Sequence, residues 1–415
     1  MSNKYTTSLR GFKDILPEDL NYYYSIEKAL INITHSYSIN ELRTPILEST
    51  NVFDKSLGSS TDIVTKEMYV FTDKNEDSVC LRPEGTSSIV RSVIEHNLIY
   101  DRGIKKRKYW YYGPMFRHER PQKGRLRQFN QFGLEYFGFS GISSEIELII
   151  LINKLFTFLK IDNYQLHLNS IGNQDDRDRY GTEIKSIMND NLSILTDSEK
   201  VTLEKNPLRL LDSKNVKIKD ALSSLPPLYE SLNEKSQKRF DSVTKLLNQL
   251  EINYIVDNNI VRGLDYYNDT VMEWKTDKLG SQDAICAGGR YDYLIQSNYS
   301  IDMPAVGVAL GIERLVELLK INQTSSNETK YAILNDSSEH ISLFMKMSEL
   351  IRSTYPKHSF MNTDPESSMS SQIKYAKKLN DKLAIIINNN QIKVHNFKDN
   401  SQVEIDISQL NNYLN

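Results

Sequence analysis

The chain has little cysteine, no large net charge and no long apolar run. Its 415 residues include two cysteines, Cys80 and Cys286, which are too few for a disulfide framework and lack the paired spacing of a zinc site. We expect two buried thiols in a reducing compartment. The N-terminal segment has no apolar core, so we expect no signal peptide. The longest apolar stretch, 148–159, is interrupted by Asn153 and Lys154, and it is shorter than the roughly 18 to 20 residues of a membrane span. These absences predict a soluble cytoplasmic protein.

A net positive charge is also absent, but basic residues are concentrated in one place. The formal net charge of -3 does not indicate a general nucleic-acid binder. Between residues 102 and 127, however, the basic side chains are accompanied by a single acid, Glu119. Any contact with RNA must therefore come from this local cluster.

The segment 113–138 consists of two aromatic-rich stretches joined by a basic turn with proline and glycine. Apolar and charged residues alternate in 116–119, so we predict a strand with Arg117 and Glu119 on one face. The return segment, 127–135, alternates again. A nucleotide needs an arginine for phosphate, a carboxylate for the adenine amino group and a ring for stacking. The segment therefore predicts an ATP-binding hairpin, with a solvated surface hairpin as the alternative. Further candidates on the return segment are Phe129, Gln131, Leu134 and Glu135.

Three later segments combine arginine with glycine or tyrosine. VRGLDYY at 261–267 places an arginine and two tyrosines on a predicted loop. AGGRYD at 287–292 contains two glycines, which would let a ligand approach the main chain closely. GVALGIER at 307–314 puts Arg314 on the first turn of a predicted helix. Taken singly, each segment is weak evidence for a binding site, because a glycine pair more often forms a turn and an arginine at a helix start is usually solvated.

Together these segments resemble one known family. The hairpin resembles motif 2 of class II aminoacyl-tRNA synthetases, and FRHERPQKGR followed by RQF resembles the histidyl-tRNA synthetase version. The three later segments resemble the two histidine-specific signatures and motif 3 of that family. A predicted helix after Pro17, followed by a predicted strand over 41–47, resembles motif 1, which forms the dimer interface in the family. The resemblance covers nearly the whole chain and is weakest in the last domain, where an asparagine run replaces the usual turn.

The order of predicted elements and this resemblance imply an α+β fold. We expect a class II antiparallel-sheet catalytic domain in 1–172 and 253–321, with a helical insertion in 173–252. Residues 322–328 are polar and are interpreted as a linker. Beyond them, strands and helices alternate in βαβαβ order, which predicts a C-terminal α/β anticodon-binding domain in 330–415.

The resemblance also assigns roles to residues. It implies a two-step reaction in which histidine and ATP give histidyl-adenylate, and the histidyl group then passes to the terminal adenosine of the tRNA. Arg262 and Arg117 are the expected catalytic residues. The expected ATP-binding residues are Arg117, Glu119, Arg125, Phe129 and Arg314. The expected histidine-binding residues are Glu84, Gly85, Thr86, Arg117, Gln131, Glu135, Arg262, Tyr266, Tyr267 and Tyr291. Arg120 and Gln122 are expected to contact the acceptor end of the tRNA.

The partners follow from the same resemblance. Mg²⁺ is expected to bridge ATP phosphates, held mainly by phosphate and water rather than by a protein metal site. A homodimer that binds histidine tRNA, but neither DNA nor a membrane, is expected. The alternative is a synthetase-like regulatory subunit of ATP phosphoribosyltransferase, which would bind histidine without acting on tRNA. Another class II synthetase, of threonyl or prolyl type, would lack RGLDYY and AGGRYD.

Overall fold

The computed structural model describes residues 6–58, 61, 63–99, 105–122, 124–213, 215–261, 266–280, 283–322, 329–336 and 340–414. The chain forms two compact units, Met1–Ser325 and Ser326–Asn415. No helix among the residues described is both long enough and apolar enough to cross a membrane. The predicted linker lies, apart from Asn322, outside the described residues.

The first unit contains both strands and helices. Its strands, in chain order, are β1 (Asn40–Glu41), β2 (Leu47–Ser49), β3 (Tyr69–Thr72), β4 (Ser78–Leu81), β5 (Arg107–Phe116), β6 (Gln128–Phe137), β7 (Gln165–Ser170), β8 (Ile255–Val256), β9 (Asn268–Lys275), β10 (Ala284–Arg290) and β11 (Ala305–Gly311). Its helices are α1 (Pro17–Ser36), α2 (Thr50–Leu57), α3 (Thr86–Glu95), α4 (Ser143–Phe158), α5 (Gln174–Asn189), α6 (Asp197–Lys205), α7 (Val216–Leu222), α8 (Glu234–Gln249), α9 (Asp292–Tyr299) and α10 (Ile312–Ile321).

An eight-stranded sheet organises the first unit. Its strand order is β1-β5-β6-β11-β10-β9-β7-β8, and all neighbours are antiparallel except the short edge pairs β1-β5 and β7-β8. One apolar cluster joins residues of α1, α4, α8 and α10 to the sheet, and a second joins residues of α2, α3, α5 and α9 to it. The sheet therefore carries helices on both faces. A smaller sheet, β2-β4-β3, accompanies it.

Two strand predictions in the first unit are wrong. The strand expected over 116–119 ends at Phe116. The amide of Arg117 still donates to the Arg127 carbonyl of the return segment (2.9 Å), but that of His118 donates to the Glu67 carbonyl (2.7 Å), outside the hairpin. The strand expected over 41–47 is two strands in different sheets, β1 and β2. The buried Arg82 holds the crossing between them by donating to the Thr44 carbonyl (2.9 Å).

Residues 173–252 are helical where they are described. They comprise α5, α6, α7 and α8 with short 3-10 turns between them. The helix α5 begins at a capping box in which the Asn173 side chain accepts from the Asp176 amide. Apolar residues of α5, α6 and α7 belong to the same cluster as Tyr266 and Tyr291, and those of α8 belong to the other cluster. The boundaries of the three expected domains stay a prediction.

The second unit has its own sheet and core. Its elements are β12 (Lys330–Asn335), α11 (Ile341–Thr354), β13 (Ser359–Asn362), α12 (Met369–Leu379), β14 (Leu383–Asn388), β15 (Gln391–Asn396) and β16 (Gln402–Ile405). The strand order is β13-β12-β14-β15-β16, with β12 parallel to both neighbours. The βαβαβ prediction is confirmed, and β15 and β16 were not predicted. Asn389, at a φ of 51°, and Asn390 form the two-residue turn between β14 and β15.

Candidate active site

A cavity of about 340 Å³ lies against the eight-stranded sheet. It is bordered by residues of β6, β9, β10 and β11, by the start of α3, and by the turn that connects β5 to β6. Glu135 and three tyrosines lie at one end, and Phe129 and three arginines at the other. Most of the residues expected in the site are thus brought to a single cavity.

Glu135 is the central group of the first end. It lies in β6 opposite Gly307 of β11 and is 1% exposed. Its Oε1 accepts from the Thr86 hydroxyl (2.6 Å), and its Oε2 accepts from the Tyr291 hydroxyl. Burial raises the pKa of Glu135 to about 8, although the two hydroxyl donors oppose that shift. In the absence of ligand the carboxyl group is therefore mainly protonated at neutral pH.

Gly307 makes room for that carboxylate. A Cβ at this position would overlap Glu135 Oε2 and would lie 2.6 Å from the Leu134 carbonyl oxygen. A glycine is thus required where β11 passes the carboxylate. The sequence analysis missed this role, although a glycine within a strand is a sign that another group approaches the backbone closely.

The tyrosines form a packed group beside Glu135. The Tyr266 ring lies 4.6 Å from that of Tyr267 and 5.6 Å, edge-on, from that of Tyr291, measured between centroids. Burial raises the pKa values of Tyr266 and Tyr291 well above the ordinary value, so both hydroxyls stay protonated and can donate. This end of the cavity therefore combines a carboxyl group with aromatic walls.

The start of α3 completes this end. The Glu84 carboxylate accepts from the amides of Thr86 and Ser87, each at 2.8 Å, and so caps the helix. The Gly85 amide donates to Gln131 Oε1 (3.0 Å).

Tyr111, which sequence reasoning missed, supports the same arrangement. Its hydroxyl donates to Gln131 Oε1 (3.0 Å). Its ring lies where a side chain on Gly85 or Gly133 would lie, so both glycines are needed for it to fit. Gln131 is thereby held in a fixed orientation toward the cavity.

Three arginines converge at the other end. Arg117 lies with its guanidinium carbon 5.4 Å from the Phe129 ring centroid, and its Nε donates to the Pro83 carbonyl (2.8 Å). Arg314 donates to the Ala284 carbonyl, and a Cβ added to Gly124 of the turn would lie 3.5 Å from Arg314 Cγ. A turn of the hairpin therefore lies directly beside the helix that carries Arg314.

Electrostatics indicate that these arginines form an anion site. Burial lowers the pKa of Arg314, and Arg125 and Arg117 lower it further by repulsion. Burial likewise lowers the pKa values of Arg117 and Arg125, and Arg117 adds to the effect on Arg125. Like charges that repel one another inside a cavity would be stabilised by a polyanionic ligand. Glu119 compensates in part, since it forms an ion pair with Arg125 and lies 3.7 Å from Arg117.

Several expected residues lie elsewhere. Leu134 is fully buried in the core on the opposite face of β6, because side chains alternate along the strand. Arg120 and Gln122 are exposed on the turn and do not line the cavity. Arg262 lies outside the described residues.

The glycine pair in AGGRYD does not open the main chain to a ligand, so that expectation is wrong. A Cβ on Gly288 would overlap the Gly307 carbonyl oxygen, and one on Gly289 would lie 2.6 Å from the Thr270 carbonyl oxygen. Both glycines serve the close packing of β10 against its neighbours. Arg290 is buried and pairs with Glu145 (3.1 Å), so it is structural, and Ala287 and Tyr291 of this segment line the cavity.

An antiparallel sheet with an arginine and a phenylalanine from a β-hairpin, and a second arginine from the helix after the last strand, defines the catalytic domain of a class II aminoacyl-tRNA synthetase. Comparisons with known proteins identify which aminoacyl-tRNA synthetase family this is. A sequence model described as histidyl-tRNA synthetase matches residues 11–175 and 178–315. The chain belongs to the histidyl-tRNA synthetase family, and its activity is that of a histidine–tRNA ligase, which uses ATP.

Individual relatives agree with this assignment. The histidine–tRNA ligase of Legionella pneumophila strain Lens is 41% identical over 417 residues, which covers 98% of this chain and 97% of that protein. The crystal structure of apo S. aureus histidyl-tRNA synthetase is similar, with a TM-score of 0.79 and 29% identity over 99% of this chain and 100% of that one. A Bacillus halodurans structure titled as an ATP phosphoribosyltransferase regulatory subunit/histidyl-tRNA synthetase has a TM-score of 0.68 at 17% identity, covering 91% of this chain and 98% of that one. That likeness concerns the fold alone.

Proposed function

We propose that the cavity binds histidine at its Glu135 end and ATP at its arginine end, so that the two react where the ends meet. The observation that carries this proposal is the presence of both chemistries in one cavity. Glu135, held by Thr86 and Tyr291, can bind an imidazole nitrogen, while Arg117 and Arg314 can bind phosphate oxygens. A site that hydrogen-bonds the imidazole discriminates strongly against amino acids that lack it.

The reaction begins with an attack on ATP. A carboxylate oxygen of histidine forms a bond to the α-phosphorus, and the bond from that phosphorus to the pyrophosphate oxygen breaks. Arg117 stabilises the charge on the α-phosphate, and Arg314 stabilises that on the departing pyrophosphate. Phe129 stacks on the adenine, and Glu119 and Arg125 lie at the same end. A ribose hydroxyl of the terminal adenosine of the tRNA then attacks the histidyl carbonyl carbon, and AMP departs.

The resemblance to the family supports a further catalytic role for Arg262. It would align the histidine carboxylate with the α-phosphate and stabilise the transition state. Glu84, Thr86 and Gln131 would bind the α-ammonium group, with Gly85 supplying close approach.

Mg²⁺ would neutralise charge on the ATP phosphates. Among the residues that the structure describes, no group of three or more His, Cys, Asp or Glu side chains could hold a metal ion. An ion that is bound mainly through phosphate and water needs no such group of side chains. Glu273, which lines the cavity and acts electrostatically on Arg314, is the carboxylate that would contact it.

Histidine tRNA, rather than DNA, is the proposed nucleic-acid partner, and the exposed Arg120 and Gln122 would contact its acceptor end.

A homodimer is proposed as well. Its support, besides the motif 1 resemblance, is the apolar surface of the small sheet, where Leu47, Val70 and Phe71 are each about half exposed (46%, 53% and 46%). A cytoplasmic location fits the two buried cysteines, which are not joined by a disulfide.

The test is ATP–pyrophosphate exchange with each of the twenty amino acids, followed by charging of histidine tRNA. Exchange that depends on histidine alone, together with charging, is expected. A chain that binds histidine but neither exchanges nor charges would instead be the regulatory subunit of ATP phosphoribosyltransferase.

Arg262→Ala should nearly abolish exchange and leave ATP binding close to normal, because the lost charge acts on the transition state. Wild-type exchange in that variant would contradict its catalytic role.

A further inference from the structure

The chain segment that carries Tyr266 and Tyr267 is held from outside the cavity by helix α5. Arg177 of that helix donates from Nη1 to the main-chain carbonyl of Tyr267 at 2.9 Å. Its Nη2 donates to Gln174 Oε1, one helical turn earlier. Arg177 does not line the cavity of Glu135 and instead lines a separate cleft of about 400 Å³. The bond to the Tyr267 carbonyl therefore links Arg177 to the site through the main chain.

The same segment is held at a second point two residues later. Asp269 has a φ of 46°, in the left-handed region. A residue other than glycine adopts this backbone conformation at a cost, which the surrounding contacts offset. The Asp269 amide donates to the Gly172 carbonyl, and the Ile171 amide donates to the Asp269 carbonyl, each at 2.9 Å. Ser236 of α8 donates to the Asp269 carboxylate (2.7 Å). Between these two points the backbone of 267–269 is held to residues 171–177 and 236.

The Tyr267 backbone matters because its side chain belongs to the packed tyrosine group. The Tyr267 ring contacts that of Tyr266, which meets Tyr291 edge-on. Tyr291 in turn holds Glu135 by its hydroxyl. A displacement of the Tyr267 carbonyl would therefore be passed to the wall around Glu135. Phe129, six residues before Glu135 in β6, and Arg314 of α10 lie at the other end of the cavity.

We propose that Arg177 is a positioning residue for the histidine pocket: helix α5 fixes Tyr266 and Tyr267 through the bond from Arg177 to the Tyr267 carbonyl. This inference rests on the proposed function, which places histidine at the Glu135 end. It assigns to a helix outside the sheet a specific effect on amino-acid binding. The carbonyl is the acceptor of a charged donor, and such bonds are among the stronger ones in proteins.

The test compares Arg177→Met with Arg179→Met in the full-length protein. Both changes remove a guanidinium from α5 and keep an unbranched apolar stem. Arg179 pairs with Asp176 (2.6 Å) and donates to the Ser231 carbonyl, so its loss perturbs the helix without touching the tyrosine segment. Exchange kinetics are measured against histidine and against ATP, together with Tm.

Arg177→Met is expected to raise the KM for histidine by roughly tenfold or more, with the KM for ATP and kcat changed by less than about twofold, as expected for loss of one charged hydrogen bond that orders a binding wall. Arg177→Lys, which keeps one charged donor, should recover part of that loss. Arg179→Met should leave both KM values unchanged, although its Tm should be similar to that of Arg177→Met. Equal effects of Arg177→Met on both KM values, or none on either, would overturn the proposal.

If Arg177→Met does not fold, Gln174→Met replaces it. That change removes the acceptor that orients Arg177, so a smaller rise in the histidine KM alone is expected, and no rise would overturn the inference. A wild-type chain that shows no histidine-dependent exchange would mean that the proposed function has failed. Wild-type exchange with an unchanged histidine KM in these variants would refute the role of Arg177 alone.

Discussion

Glu135→Gln should separate the two roles of this buried carboxyl group, in stability and in histidine binding. The amide has nearly the same shape and keeps one acceptor oxygen. Its nitrogen faces either the Thr86 or the Tyr291 hydroxyl, and either hydroxyl can turn to accept. The variant is therefore expected to fold.

The effect on stability follows from the pKa of Glu135, which burial raises from 4.5 to about 8. Between these two pH values the carboxyl is ionised in the unfolded chain and protonated in the folded one. The folded state then binds one more proton, so the free energy of unfolding falls as pH rises, by about 1.4 kcal/mol per pH unit. Below 4.5 both states are protonated and above 8 both are ionised, so the slope vanishes at each end.

The amide does not titrate, so the variant should lack this slope. From pH 6.0 to 7.5 the wild type should lose about 2 kcal/mol relative to Glu135→Gln, since the contributions of other groups cancel in the difference. Urea denaturation of the ligand-free proteins at the two pH values measures it. Glu204→Gln, which alters a side chain that is 75% exposed, is the matched control and should run parallel to the wild type.

Glu135→Gln should gain stability relative to the wild type as pH rises, but it should lose affinity for histidine. Pairing with the bound imidazole favours the ionised form of Glu135, and the amide cannot supply that charge. The histidine KM should therefore rise by roughly 10- to 100-fold, as expected for about 1.5 to 3 kcal/mol. The KM for ATP should change little, because Phe129 and the arginines lie at the other end of the cavity. Parallel pH dependence of the wild type and the variant would refute the raised pKa. An unchanged histidine KM would place the imidazole elsewhere.

Three further changes test other parts of the site. Phe129→Ala should raise the KM for ATP, since base stacking is worth roughly 1 to 3 kcal/mol, and an unchanged KM in pyrophosphate exchange would mean that the ring only packs. Gly307→Ala should lower both Tm and histidine affinity, because its Cβ would overlap Glu135 Oε2, whereas the control Gly311→Ala, whose Cβ would meet nothing within 4 Å, should keep its Tm. A chain that ends at residue 325, the boundary between the compact units, should keep exchange within about tenfold of the full chain and lose far more of its tRNA charging, because tRNA affinity adds contacts from a second domain. Equal loss of both activities would show that the second unit supports the catalytic fold.

Much of the site could be predicted because its residues lie in short, ordered segments. Phe129, Gln131 and Glu135 line the cavity and are separated by even numbers of residues along one strand, so alternation places them on one face. The same rule sends Leu134 to the core, which the candidate set did not respect. The strand predicted over 116–119 failed for a different reason. The backbone partner of His118 is the carbonyl of Glu67, which lies outside the hairpin and its local pattern.

Periodicity and motif order are local properties of the chain, so the fold class, the family and most of the residues of the cavity could be predicted from them. Which groups act on one another depends instead on tertiary contacts. Strand pairing sets Gly307 against Glu135, and packing places Tyr111 against Gly85 and Gly133. Burial then raises the pKa of Glu135, and helix α5 reaches the Tyr267 carbonyl through Arg177. Each of these depends on contacts between segments far apart in the chain, which no local pattern records.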